Sequence, residues 1–337
     1  MGSLEKAIEI MEGAKKGGAD AIGIHITDLD NYMTRDYTCN VGQTLSDSAD
    51  TSVSIFDFLD KINLTNDQWL DFGKKAAEVG IDIVSMCNDQ NSFEFSQQLD
   101  IKHQVVSAAC FNDFEFIRGI VRQNPNIVLR IGGATLDEIK AVVDLLLQAN
   151  ENAKINMLAG IQLYPTPLDQ LHIGSIKTLK EAFPQDAVEF GLADHIDGDS
   201  PFALTLPALA LPYGITMIEK HITTRREDKL EDYEAALGIE QFKDFVDFIR
   251  VSESGLGSGS IDYLTKSDSF QRYREVARKK VVASQDLKQG DILDLSKIAF
   301  KRADSGVPIE KVDLVVGKAL VADLKKDQGV ILEFLNS

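Results

Sequence analysis

The sequence predicts an α/β protein built on a (β/α)8 TIM-type barrel, and three observations lead there. From residue 4 to about 250, seven short apolar runs alternate with amphipathic helical stretches, which is the pattern of a parallel sheet covered on both faces. The repeat length of roughly 25–35 residues suits successive βα units of a barrel. Most runs close on polar or ionisable side chains, where a barrel carries its chemistry. A doubly wound open sheet is the structural alternative.

The runs are DAIGIHI (20–26), IDIVSM (81–86), HQVVSAA (103–109), NIVLRIGG (126–133), KINMLAGIQLY (154–164), AVEFGLADH (187–195) and ITMIEKHIT (215–223). Between them, TNDQWLDFGKKAAEVG opens on Thr65 with Gln68 three residues on, and TLDEIKAVVDLLLQA opens on Thr135 with Glu138. Both are capping-box signatures ahead of a helix. The chain begins MGSLEKAIEIMEGAKKGGAD, a helical pattern with no strand before it, so the barrel is expected to lack its first strand here. Such a seam leaves two strand edges unpaired, with reduced stability or pairing to another chain as the expected result.

The barrel is expected to span residues 1–251. Residues 252–276 read as a linker, because Gly and Ser cluster and the apolar period is lost. Residues 277–337 change texture, to short β-type runs broken by Gly-Asp and Asp-Gln-Gly turns, and predict a small β-rich domain.

Composition narrows the function. A formal net charge of −18 argues against a nucleic-acid partner, which would require clustered Lys and Arg. The three cysteines, Cys39, Cys87 and Cys110, have no metal-site spacing and read as packing residues. With no signal-peptide pattern and no run of about 20 uncharged apolar residues, a cytoplasmic protein away from membranes is expected.

The residues that close the runs form one candidate mouth: His25, Ser107, Arg130, Gln162, Tyr164, Asp194, His195, Glu219 and His221. His195 and His221 end consecutive strands, so their imidazoles can converge on one divalent cation that polarises a carbonyl oxygen. Lys220 should turn away from its neighbours by strand alternation, and a salt bridge and a catalytic role both stand open for it. The glycines of IGGAT (131–135) could offer amide N–H groups to a phosphate, or could simply form a βα turn.

GLADHIDG, IEKHIT, YPTP, GGATLDEI and the C-terminal VVASQDLKQGDIL, IAFKRADSG and VVGKAL together resemble the sialic acid synthase (N-acetylneuraminate synthase) family. The terminal module resembles its antifreeze-like SAF (β-clip) domain. The resemblance implies a domain-swapped homodimer and a Mn2+ or Mg2+ ion held by His195 and His221. It implies condensation of phosphoenolpyruvate with N-acetylmannosamine or a related sugar to a nonulosonic acid. Glu219 is the implied catalytic acid, and Asp194, at a strand end beside His195, is the second expected one. Asp232 is the implied partner of a sugar hydroxyl, and Tyr164 and Ser107 are expected as further substrate contacts. Arg302 is implied to extend from the SAF domain of one subunit into the other's site.

The chain departs from the family pattern where phosphate-binding lysines are implied. GIH, Gly23 to His25, stands in place of one, and Gln104 in place of the other. Arg130 and His25 are then the expected partners of the donor's anion. An aldolase-type reaction with another donor and a catalytically inactive sugar-binding homologue are the alternatives.

Overall fold

The computed structural model describes residues 2–37 and 54–336; Cys39 lies outside the described residues. By internal packing the chain divides into Met1–Leu256 and Gly257–Ser337.

The first unit is a sheet of seven parallel strands: β1 (Ala21–Ile26), β2 (Asp82–Cys87), β3 (Ile101–Val106), β4 (Asn126–Arg130), β5 (Lys154–Ala159), β6 (Val188–Asp194) and β7 (Met217–Lys220). They are hydrogen-bonded in chain order, β1 to β7. A doubly wound sheet must reverse its strand order at a switch point, so this topology is that of a barrel. In a flat sheet β4 and β7 would stand roughly 14 Å apart, three spacings of about 4.8 Å. Yet Arg130 on β4 comes within 2.6 Å of Glu219 on β7, which requires a curled sheet. Among the described residues no strand joins β1 to β7, and these are the two edge strands.

Alternation along the strands sorts the apolar residues into two layers. Val84, Met86, Val105, Val128, Leu158, Ala193 and Met217 pack together inside the curl. Ile83, Val106, Ile127, Leu129, Ile155 and Met157 face the helices, against Ile120, Val142 and Leu146 among others. The main covering helices are Leu4–Lys16, Asn66–Val79, Phe114–Gln123, Leu136–Ala149, Ser175–Ala182 and Ile239–Leu256. Capping boxes form at Thr65 with Gln68 and at Thr135 with Glu138. The Asn66–Val79 helix ends on Gly80 at φ 72°, a left-handed position that glycine adopts without a Cβ penalty.

Residues 252–276, read as a linker from their texture, are largely helical. The Ile239–Leu256 helix runs into this stretch, and helices Tyr263–Lys266 and Asp268–Ala277 follow. The Asp268–Ala277 helix is capped by Ser267 but buries no side chain. Its larger apolar residues Tyr273 and Val276 stay exposed, and the Gly- and Ser-rich stretch ahead of it gives the segment the texture of a linker.

The second unit has its own core, in which Val281, Leu293, Val315 and Val330 are fully buried. Strands Lys280–Ala283 and Ile298–Lys301 pair antiparallel. Single bridges such as Val282 to Gly329 and Leu287 to Leu324 tie the turns together.

One helix offers a test of the layer assignment. Leu146 is fully buried and Leu136 is 55% exposed. Leu146→Ala is expected to lower stability by about 2–5 kcal/mol, whereas Leu136→Ala stays within about 0.5 kcal/mol. The single tryptophan, Trp69, is buried in this unit, so its fluorescence during urea denaturation reports the difference.

Candidate metal centre at the barrel mouth

His195 immediately follows β6, and its imidazole is fully enclosed, with 0% of the side chain exposed. Its Nδ1 lies 2.9 Å from the Ile161 carbonyl oxygen. A carbonyl only accepts, so Nδ1 carries the proton and Nε2 presents a lone pair. Among the described residues that Nε2 has no hydrogen-bond partner, and neither does Oε1 of Glu219, 3.8 Å away. Two buried acceptors face each other across a gap too wide for a hydrogen bond. The gap is no wider than two coordination bonds of about 2.1 Å each.

His221, just beyond β7, completes the cluster. One ligand atom from each of His195, Glu219 and His221 lies within 4.8 Å of the others. Water reaches 23% of the His221 side chain, but the mouth encloses it on its other sides. That enclosure first, and His195 next, hold its pKa below the ordinary imidazole range, which leaves a neutral ring able to ligate. Two imidazoles and one carboxylate, with unpartnered lone pairs converging, fit a divalent cation.

Glu219 has a second claimant. Arg130 donates to Glu219 Oε2 from Nη2 at 2.6 Å and from Nε at 3.1 Å. Enclosure is the largest single influence and pushes the Glu219 carboxyl up, but the Arg130 guanidinium together with the neighbouring His195 and His221 outweighs it and leaves the pKa at about 2. Both hydrogen bonds fall on the same oxygen, so Oε1 stays free to face His195.

Tyr164 roofs the cluster, its ring centroid 4.4 Å from that of His195 and 5.3 Å from that of His221. Its hydroxyl donates to Gln162, and burial pushes the phenol pKa up. The YPTP turn is anchored beside His195, where Thr166 N donates to the His195 carbonyl at 2.8 Å. Asp232 brings Oδ2 to 3.8 Å from His221 Nδ1. In the IGGAT turn, a Cβ on Gly132 would meet the Gly160 carbonyl oxygen at 2.6 Å; close packing of two loops therefore requires that glycine.

The other side of the mouth is a neutral polar corner. Asn88 donates from Nδ2 to His25 Nε2 at 3.0 Å and accepts from Ser107 Oγ at 2.7 Å. Sequence reading missed Asn88. Alternation from the inward Met86 would have pointed to it, because residue 88 continues the same face. Cys110 touches the same amide at 3.4 Å, and burial raises the Cys87 and Cys110 thiols to about 11 and about 12, consistent with packing.

A family model described as the NeuB family matches residues 10–261. The chain belongs to the NeuB family. A SAF domain model matches residues 278–332. This NeuB-family chain is 27% identical over 333 residues to pseudaminic acid synthase of Campylobacter jejuni subsp. jejuni, covering 96% of this chain and 90% of that protein. It is 24% identical over 344 residues to N-acetylneuraminate-9-phosphate synthase of Homo sapiens, covering 100% and 90%. The crystal structure of spore coat polysaccharide biosynthesis protein spsE from Bacillus subtilis superposes with a TM-score of 0.63 at 21% identity, covering 100% of this chain and 92% of that one. That likeness is one of fold.

One expected position in this NeuB-family chain needs correction. Asp194 does not point into the mouth. It sits opposite Lys220 in the β6–β7 register and pairs with it at 2.8 Å, both side chains 1% exposed. Alternation that sends His195, Glu219 and His221 inward sends these two outward, so the salt bridge is the reading of Lys220 that the structure shows. Gln104 likewise faces the helices and donates to Ser96 Oγ at 3.0 Å. Arg302 belongs to the second unit, where its guanidinium lies against the Val276 carbonyl at 3.3 Å.

The buried pair can be tested by a double-mutant cycle. Lys220→Met alone leaves Asp194 charged and unpaired, and is expected to cost about 3–5 kcal/mol. Adding Asp194→Leu should recover much of that loss, as read from Trp69 fluorescence in urea.

Proposed function

We propose that this chain is a nonulosonic-acid-synthase-type enzyme. It joins the methylene carbon of an enolpyruvyl donor, phosphoenolpyruvate, to the aldehyde carbon of an open-chain N-acylated aldose such as N-acetylmannosamine. Water enters at the adjoining donor carbon as phosphate leaves. The observation that carries this reading is the pair of unpartnered lone pairs on His195 and Glu219 facing across 3.8 Å, beside the neutral His221. Family membership and the synthase names of the relatives support it.

His195, His221 and Glu219 would hold the Mn2+ or Mg2+ ion, whose chemistry is Lewis-acid polarisation of the aldehyde oxygen. Ile161, through its carbonyl, keeps the His195 proton on Nδ1 and so keeps Nε2 available. Asp232, 3.8 Å from His221, would accept a hydrogen bond from a sugar hydroxyl, and the Tyr164 ring stacked near both imidazoles would shield them in part from water. Arg130 would receive the anionic donor, with the His25, Asn88 and Ser107 corner offering neutral polar contacts. Arg302, contributed by the SAF domain of a second copy in a domain-swapped homodimer, would close the site over the sugar. Asp194 has no part in this scheme.

The test supplies purified protein with Mn2+, phosphoenolpyruvate and a panel of N-acetylated aldoses and follows phosphate release. Turnover with at least one sugar is expected, and none across the panel would overturn the proposal. Turnover with pyruvate replacing phosphoenolpyruvate would point to an aldolase-type reaction. EDTA should abolish activity and added Mn2+ should restore it, while His195→Ala should lower kcat/KM by about 100-fold or more. Asp232→Asn is expected to act mainly on the sugar, raising its KM by about tenfold, which corresponds to the loss of one charge-assisted hydrogen bond.

A further inference from the structure

The Arg130 guanidinium stands one carboxylate away from the candidate cation position. It holds Glu219 Oε2, while Glu219 Oε1 faces His195 Nε2 at 3.8 Å. A cation there and Arg130 would share a single negative partner, in a mouth where Arg130 is 18% and Glu219 22% exposed. Like charges this close and poorly solvated repel, and Asp232 near His221 offers the nearest further compensation. The loaded site therefore has a deficit of negative charge that a bound anion would fill.

The guanidinium is also built to take that anion. Of its five N–H groups, Nε and one on Nη2 serve Glu219, and one on Nη1 rests on the Met86 thioether at 3.7 Å. A thioether is a weak acceptor. The edge formed by Nη1 and Nη2 thus has no strong acceptor among the described residues, and that edge matches a planar or tetrahedral oxyanion in bidentate fashion.

The geometry points to Arg130 as a coupling residue: it makes divalent-cation binding at His195, His221 and Glu219 and oxyanion binding at its own free edge mutually reinforcing. The inference rests on the proposed metal centre and goes beyond it. Without an anion, Arg130 opposes the cation by occupying and neutralising Glu219. With a carboxylate or phosphate on its free edge, that opposition is offset, and by linkage the cation then tightens the anion by the same factor.

The experiment measures Mn2+ affinity of the full chain by calorimetry, alone and with saturating pyruvate or inorganic phosphate, correcting for Mn2+ binding to each anion in buffer. For the unsubstituted protein, at least one anion should strengthen Mn2+ binding by about fivefold or more. Pyruvate alone acting identifies a carboxylate at the Arg130 edge, and phosphate alone acting identifies a phosphoryl group. Arg130→Gln should bind Mn2+ more tightly than the unsubstituted protein in the absence of anions and should lose the coupling. Arg130→Lys, which keeps the charge without the fork, should retain weak intrinsic Mn2+ binding and lose most of the coupling. Equal Mn2+ affinity with and without both anions in the unsubstituted protein would overturn the inference while leaving the metal centre intact. Coupling that survives in Arg130→Gln would do the same. Failure of Mn2+ to bind the unsubstituted protein under any condition would overturn both.

Discussion

One carboxylate organises the mouth of this barrel. Glu219 gives one oxygen to Arg130 and leaves the other facing His195. Neither contact exists unless the sheet curls enough for a β4 side chain to meet a β7 side chain. Curvature is thus the condition for the site. The curl follows from in-order parallel strands whose inner faces close over Val84, Val105, Val128, Leu158 and Ala193. Residues of mixed size on that inner layer let the walls approach. Gly191 is the extreme case, where a Cβ would stand 2.4 Å from Leu158 and 2.6 Å from the Met217 carbonyl.

Strand alternation then decides what each ionisable residue does. Glu219, Lys220 and His221 are consecutive, yet they serve different ends. The first and third face the mouth with Arg130 and Asp232, while the second turns outward and is spent on Asp194 and the Ile196 carbonyl. The outward pair is structural, because each charge would be strongly destabilising alone in that setting and is tolerated because the other is there. The inward pair is poorly satisfied within the protein, since His195 Nε2 and Glu219 Oε1 have no partner. Two such lone pairs facing each other across 3.8 Å, beside a third ligand atom, mark a place where something else can bind.

The two sides of the mouth differ in charge. The cluster of two imidazoles and one carboxylate suits a cation, and Arg130 divides it from the neutral corner of His25, Asn88 and Ser107. Of the two positions where the family resemblance implies lysines, Gly23 to His25 lie at the neutral corner and Gln104 faces the helices, and the Arg130 guanidinium stands between the two sides. A planar fork next to a shared carboxylate is a different device from a pair of ammonium point charges. It ties recognition of the anion to the state of Glu219.

Much of the fold was legible in the amino-acid sequence because it depends on local chemistry. The seven apolar runs became seven strands, and Thr65 and Thr135 became capping boxes. His195, Glu219 and His221 were found because each closes a run at a strand end. The helix over Asp268–Ala277 escaped because the Gly- and Ser-rich stretch before it reads as a linker, and Asn88 escaped because its importance lies in what stands opposite. Strand order, curvature and the pairing of Arg130 with Glu219, 89 residues apart, were settled only by tertiary structure. The physical reason is range: periodicity and caps act within a few residues, whereas a shared carboxylate depends on closing the sheet.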